Sequence, residues 1–433
     1  VTVTGPCNAL DVVDVVALGE SMVTFLPTRP GRLADVPSFE RAIGGAESNV
    51  ACALAAAGHR VRWVSRVGAD GFGDHLVEAI GRYGVDVASV RRDPGRPTGV
   101  YFRTAGDRGT DAHEVAYYRA GSAASAMSVE SVDLDAVRSG RVLHLSGITA
   151  ALSQGCLGLL RELTARRTGR PLVSFDVNYR VGLWGDGDGP DVLLELARGA
   201  DVVFVGEDEA EEVWGVTGGP EGVRAALPEP GVLVVKQGAV GATAFVSAAG
   251  GRGLVARFPA PLRSGSVPAL QGAADSLAQP SAGHPTQPSA SRPTQPAGSR
   301  AAGEAPAPKR GGTPSVPGGA SHLRPTPTPR TPQPTAFVPS PHVHIAAATG
   351  AGDAFAAGFL SATLRGLPVR EALRHGHLWA AATLTAPGDL APPPSRDHAD
   401  RLVALDDVAW EKLRLGPGWT QAVEGADEEV RTP

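Results

Sequence analysis

The stretch Thr349-Gly350-Ala351-Gly352-Asp353-Ala354-Phe355 runs on into the apolar, alanine-rich AAGFLSATL of residues 356–364. Its two glycines let the backbone pass close to a ligand. The continuation reads as a buried helix whose first turn offers unpaired N–H groups to an anion. Asp353 stands in that turn, where a carboxylate can accept a hydroxyl proton while the N–H groups stabilise charge on a transferred phosphoryl group. An ordinary turn, with an acidic residue favoured by the helix dipole, has the same local sequence. The surroundings have to decide.

Upstream of the motif the chain alternates. Apolar runs at Val12–Leu18, Val61–Val67, Arg141–Leu145, Leu172–Phe175, Val202–Val205 and Val232–Val235 read as buried strands. Helical patterns lie between them at Ala46–Ala57, Asp74–Tyr83, Gln154–Arg167, Asp191–Arg198 and Glu207–Trp214. Strands and helices in this order predict an α/β fold with a mostly parallel central sheet covered on both faces, three layers in all. Residues 22–43 and 96–120 break the rhythm with turn-punctuated, strand-like sequence. They predict a small antiparallel β flap over the C-terminal edge of the sheet, where open α/β folds bind ligands.

Residues 262–341 read differently. The stretch 262–340 holds 16 of the 37 prolines, one aromatic residue (Phe337), and seven basic against two acidic side chains. Such a composition cannot bury enough apolar surface to offset the entropy of ordering, about 1–2 kcal/mol per residue for the backbone. The segment is expected to be a disordered insert. HPTQPSAS at 284–291 is followed at once by RPTQPAGS at 292–299, and replication slippage accounts for that as well as a docking function does. Residues 1–10 and the acidic tail 420–433 are expected to be flexible, leaving 11–261 and 342–419 as one domain.

The whole chain has 433 residues, with 40 basic and 45 acidic side chains for a net charge of -5. There is no polybasic footprint for nucleic acid or an anionic membrane. A membrane-spanning helix through residues 345–364 would bury Asp353 in lipid, at a cost of several kcal/mol. Three widely spaced cysteines, Cys7, Cys52 and Cys156, argue against a disulfide framework or a cysteine-rich zinc site. With no signal-like N-terminus, a cytoplasmic setting is expected. The three lysines, Lys236, Lys309 and Lys412, follow Val235, Pro308 and Glu411, so no GxxxxGK[ST] phosphate loop exists. Lys236-Gln237-Gly238-Ala239-Val240-Gly241 is instead a glycine-bearing turn at a strand's end with one lysine available for phosphate.

Taken together these strings resemble the ribokinase-like (PfkB-type) carbohydrate kinases, over roughly residues 14–261 and 342–390. TGAGDAF matches the family's C-terminal signature. Gly44-Gly45-Ala46-Glu47-Ser48-Asn49 is similar to its GGxxxN sugar-binding element, and Val67-Gly68-Ala69-Asp70-Gly71-Phe72-Gly73 to its VGxDxFG stretch. LGESMVTFLP, TGVYFR, YYRAGSAAS, LHLSGITAALS, SFDVNYRVGLW and VFVGEDEAEEVWG resemble the branch that phosphorylates 2-keto-3-deoxygluconate.

The resemblance implies a ribokinase-like fold and transfer of the ATP γ-phosphoryl, with Mg²⁺, to the terminal hydroxyl of that sugar acid. It implies Asp353 as general base and Gly350, Ala351 and Gly352 as the anion hole. Gly45, Asn49, Tyr101, Tyr117, Arg119 and Arg180 would line the sugar site, with Asp389 closing it. Asn178, Lys236, Gly238, Gly241, Gly350 and Gly352 would fall on the nucleotide side, and Glu209 would organise metal-bound water. Two arginines suit a substrate that carries a carboxylate.

The sequence departs from the family at Ala347, where an acidic residue usually stands, at Gly206, which replaces the Asn of Asn-x-x-Glu, and at His377 and Trp379 on the nucleotide-side helix. The flap's exposed edge predicts a homodimer. A kinase for fructose, ribose or a nucleoside is the nearer alternative, and a catalytically degenerate scaffold acting through its insert the farther one.

Overall fold

Near-continuous apolar runs along the strands dictate a sheet buried on both faces, and the computed structural model of the chain has one. The structure describes residues 12–29, 31–104, 114–184, 187–247, 333–347 and 349–421. The strands are β1 (Val13–Leu18), β2 (Met22–Pro27), β3 (Phe39–Gly44), β4 (Val61–Gly68), β5 (Val90–Asp93), β6 (Val100–Arg103), β7 (Val115–Tyr118), β8 (Gly140–Ser146), β9 (Leu172–Asp176), β10 (Val202–Gly206), β11 (Val232–Lys236), β12 (Gly241–Val246) and β13 (Ala336–Pro339), followed by the short β14 (His342–Val343) and β15 (Arg414–Leu415). The longer helices are α1 (Ala46–Ala56), α2 (Gly71–Arg82), α3 (Gln154–Thr164), α4 (Gly189–Gly199), α5 (Glu207–Trp214), α6 (Gly219–Ala226), α7 (Ala351–Leu364), α8 (Val369–Leu384) and α9 (Arg396–Val403).

The main sheet has the order β13-β12-β11-β10-β9-β8-β1-β4-β5. From β11 to β5 every pairing is parallel; β12 and β13 close one side antiparallel. Successive residues of each strand face opposite ways. Val15 and Ala17 of β1, with Phe204 of β10 and Val234 of β11, pack under α1, α7 and α8. Val16, Leu18, Val203 and Leu233 pack under α3, α4 and α6. The result is the three-layer fold expected from the sequence.

Two expectations need correction. The flap is a mixed sheet of order β3-β2-β6-β7, because β2 and β6 run parallel while the outer pairs are antiparallel. The region read as insert also extends too far toward the C-terminus. Ala336–Pro339 within it forms β13, paired from Gly241↔Pro339 to Ala244↔Ala336, and Phe337, its one aromatic residue, belongs to that strand. Prolines at 334 and 339 disguise it, yet an edge strand tolerates them because its outer side donates nothing to the ladder. The strand anticipated at GLVARFPAP (253–261), the remainder of the insert, residues 1–10 and the tail from 422 lie outside the described residues. Among the described residues, no helix is long and apolar enough to cross a membrane.

Candidate active site

Parallel strands all end on one edge of a sheet, and here the chemistry gathers at that edge. β8 ends at Ser146, β9 at Asp176, β10 at Gly206 and β11 at Lys236. Gly350 caps the start of α7 with φ +80°, left-handed backbone that favours glycine. A Cβ on Gly350 would lie 2.0 Å from the carbonyl oxygen of Asp389. Gly350, Ala351 and Gly352 thus form the opening turn of a 14-residue helix with Asp353 third in it.

Asp353 meets Asn49, 304 residues away, whose Nδ2 donates to Asp353 Oδ2 over 2.9 Å. Asn49 Oδ1 is buried and has no partner among the described residues. The pKa of Asp353 is pushed up to about 7, chiefly by burial; the Asp176 carboxylate adds to the rise, while the Asn49 hydrogen bond and the charges of Lys236 and Arg180 oppose it. A carboxyl group poised near neutrality can cycle between base and acid at working pH.

Lys236 Nζ lies 3.1 and 3.0 Å from the two oxygens of Asp176 and 3.4 Å from where a Cβ on Gly352 would be. Burial would lower the pKa of this ammonium, but the Asp176 and Glu209 carboxylates outweigh it and hold the value above the ordinary one. The lysine is therefore a fixed positive charge beside the α7 turn. Glu209 is spent on the backbone: its oxygens accept the N–H groups of Tyr179 at 2.5 Å and Gly206 at 3.0 Å. This pins the loop after β9, which carries Asn178 and Arg180, to the start of α5. Gly206 still donates to Glu209 through its backbone, so the missing Asn side chain leaves that anchor intact.

Asn178 adopts φ +42°, and its buried Oδ1 has no partner among the described residues. Arg180 is exposed, with Nη1 donating to its neighbour's Tyr179 carbonyl over 2.7 Å. Gly238 and Gly241 flank the β11–β12 turn. Gly238 has φ +55° and its carbonyl accepts Ser340 Oγ. A Cβ on Gly241 would lie 2.4 Å from the Val338 carbonyl oxygen, so close packing against β13 suffices to explain that glycine. His377 and Trp379 are buried, with His377 Nε2 3.1 Å from the Val338 carbonyl oxygen. Both serve packing against the helix and sheet. Ala347 brings no carboxylate; its N–H donates to the Leu384 carbonyl.

On the flap side, the Tyr101 hydroxyl donates to Asp389. Burial, followed by the Asp389 charge, raises the pKa of that phenol. The Tyr117 ring lies 5.4 Å from that of Tyr101, and the Arg119 guanidinium sits 5.8 Å from the Tyr117 centroid. A Cβ on Gly45 would lie 2.4 Å from the Glu20 carbonyl oxygen, an approach that only glycine allows. Arg119 is not a free cation. Its Nη2 is paired with the buried carboxylate of Glu20, whose other oxygen accepts Ser122 Oγ at 2.6 Å.

Three residues in this arrangement escaped the sequence reading. Asp176 ends a strand two residues before Asn178 and could have been found from the rule that sites lie at carboxyl ends of strands. Arg103 lies two residues after Tyr101, on the same strand face. Glu20 had no signal beyond its place after β1.

The sequence profile of the pfkB family carbohydrate kinases matches residues 13–261 and 331–396, more than half of the chain. A 2-dehydro-3-deoxygluconokinase of Thermoproteus tenax is 36% identical over 244 residues, 55% of this chain and 73% of that protein. Another, of Bacillus subtilis, is 35% identical over 234 residues, 53% of this chain and 71% of that one. A probable fructokinase of Arabidopsis thaliana is 31% identical over 197 residues, 45% of this chain and 60% of its own length. The crystal structure of a PfkB protein from Polaromonas superposes with a TM-score of 0.60 at 29% identity, covering 85% of this chain and 95% of that one. With the family profile and the fold in agreement, the chain belongs to the pfkB family of carbohydrate kinases.

Proposed function

We propose that this sugar kinase transfers the γ-phosphoryl group of ATP to the terminal hydroxyl of 2-keto-3-deoxygluconate. The observation that carries the reading is Asp353: a carboxyl group with a pKa near neutrality, in the first turn of a glycine-opened helix and oriented by Asn49. Asp353 takes the proton of the sugar hydroxyl as its oxygen attacks the γ-phosphorus. An O–P bond forms, the bond to the bridging oxygen breaks and ADP leaves. The N–H groups of Gly350, Ala351 and Gly352 receive charge that builds on the non-bridging oxygens, and Lys236 balances charge beside them. Asn178, Gly238 and Gly241 would face the nucleotide in this reading.

Mg²⁺ neutralises phosphate charge when it accompanies the nucleotide. Among the described residues no group of three or more His, Cys, Asp or Glu side chains could hold a metal ion. In this reading the cation is carried by phosphates and water, and Glu209, committed to two backbone N–H groups, influences it only at a distance.

The sugar acid is favoured by the relatives and by Arg180, an exposed cation whose field reaches Asp353. Tyr101, Tyr117, Arg119 and Asn49 complete the sugar side. Arg180→Ala is expected to raise KM for 2-keto-3-deoxygluconate about 10–100-fold, as loss of a charge-assisted contact of about 1.5–3 kcal/mol requires, with KM for ATP unchanged. Steady-state ADP release with each substrate varied checks this. The pairing of Arg119 with Glu20 favours a second reading, a neutral hexose such as fructose. The same assay on 2-keto-3-deoxygluconate, its galacto epimer, fructose, ribose and adenosine separates the two: turnover confined to neutral sugars overturns the acid assignment.

We also propose a homodimer through the flap, whose strand β7 exposes Tyr118 (66%) and Val115 (38%) and whose β3 and β7 are edges. Light scattering should give twice the chain mass, and Tyr118→Asp should give the monomer.

A further inference from the structure

We propose that Arg103, on the flap, is a positioning residue that ties the sugar site to the anion hole. The inference rests on the kinase reading above and adds to it how the two halves of the site are held in register. Arg103 is the last residue of β6, two beyond Tyr101, so both side chains leave the same face of the strand. Its guanidinium spans two elements. Nη1 donates to Thr349 Oγ1 at 2.9 Å, and Nη2 pairs with Asp389 Oδ1 at 2.6 Å. The side chain is 11% exposed and that of Asp389 4%, so solvent screens the pair little.

Thr349 immediately precedes Gly350. Asp389 also abuts Gly350, because its carbonyl oxygen lies 2.0 Å from where a Gly350 Cβ would be. The carboxylate of Asp389 also accepts the hydroxyl of Tyr101. One flap strand thus holds both flanks of the anion-hole turn, through Thr349 directly and through Asp389. A rigid fork is needed for this. A lysine ammonium is a single point and cannot satisfy both acceptors with the same geometry. Sugar entering against Tyr101 and Tyr117 presses on the strand that fixes the backbone at Gly350.

A double-mutant cycle tests the connection. Arg103→Lys keeps a cation for Asp389 and loses the fork, while Thr349→Val removes one acceptor at nearly constant shape. Each is expected to lower kcat about tenfold or more, with KM for the sugar changed less than kcat. The double variant should be no worse than the poorer single one, because the second change removes a bond already lost. The cycle is run on two readouts, kcat with whichever sugar the wild-type protein turns over, and binding of the non-hydrolysable ATP analogue AMP-PNP by calorimetry. If no tested sugar is turned over, the functional reading fails, and the binding cycle still decides on Arg103. Multiplicative losses in the double variant, or single variants with wild-type kcat and AMP-PNP affinity, would overturn the proposal. A merely structural role would move thermal stability in Arg103→Lys and leave the kcat of the folded variant alone.

Discussion

Asp353→Asn is expected to lower kcat about 10³-fold, inside the 10²–10⁴-fold range of a positioned general base. The amide can still accept the Asn49 Nδ2 hydrogen bond, so KM for the sugar should change little. The pH profile is the sharper readout. Burial holds the Asp353 pKa up at about 7, and only the carboxylate form can accept the hydroxyl proton. Activity of the wild-type protein should therefore rise roughly tenfold per pH unit below about 7 and level off above it. The variant's residual activity should lack that limb.

Stability runs the other way. In the unfolded chain the carboxyl group returns to its ordinary value of 3.8, whereas in the folded protein it stays protonated up to about 7. Its favourable contribution to folding is fully present below about pH 4 and is lost as pH rises through 7, where the native state must hold a buried carboxylate. Asp353→Asn should thus raise Tm at pH 8 and leave it nearly unchanged at pH 4. A pH-independent kcat in the wild-type protein, or a variant equally impaired at every pH and destabilised at pH 8, would remove Asp353 as the base.

Gly350→Ala should reduce kcat by at least 10²-fold. The left-handed backbone at this position, φ +80°, costs an L-residue about 1–2 kcal/mol. That is the smaller part. A Cβ at Gly350 would sit 2.0 Å from the carbonyl oxygen of Asp389, and the obstacle is backbone, which cannot swing aside as a long side chain can. Either the α7 turn retreats, misaiming the N–H groups meant for the phosphoryl oxygens, or the Asp389 segment moves and takes its contacts with Tyr101 and Arg103 along. Both routes lower kcat, and the second also raises KM for the sugar. Losing one oxyanion donor costs about 10²–10³-fold in kcat elsewhere. Gly352→Ala is the control. Among the described residues its Cβ would meet only Lys236 Nζ, at 3.4 Å, so its loss should be much smaller. Equal losses in the two variants would refute the steric argument.

The sequence announces strands well because the sheet is buried on both faces: each of the six anticipated runs is a strand, longer or shorter by a residue or two at its ends. It makes Asp353 and the glycines easy to single out because they sit in one short string. What it conceals is pairing. Asn49 and Asp353 each stand in a motif of their own, but their hydrogen bond needs α1 and α7 side by side. Asp176 and Lys236 are separated in the sheet by β10, and nothing local says that the lysine reaches across it. Arg119 shows a cation for a carboxylate to the reader of a sequence, and only folding reveals Glu20 beneath it. β13 was hidden for another reason. A four-residue edge strand with one fully buried side chain, Val338, has too few residues to display a period.

That edge strand also governs how freely the chain can change length. Val246 at the end of β12 and Thr335 just before β13 are hydrogen-bonded neighbours, N to Oγ1 at 2.8 Å, so the connection leaves and returns at one spot. For a flexible loop, each doubling in length adds only about 0.6 kcal/mol of closure entropy. Additions of a few residues at this point are nearly invisible to selection on stability, whereas one residue added to β9 or β11 would displace Asp176 or Lys236 from its partner. The eight-residue near-repeat at 284–299 falls inside that connection, where added length costs little closure entropy.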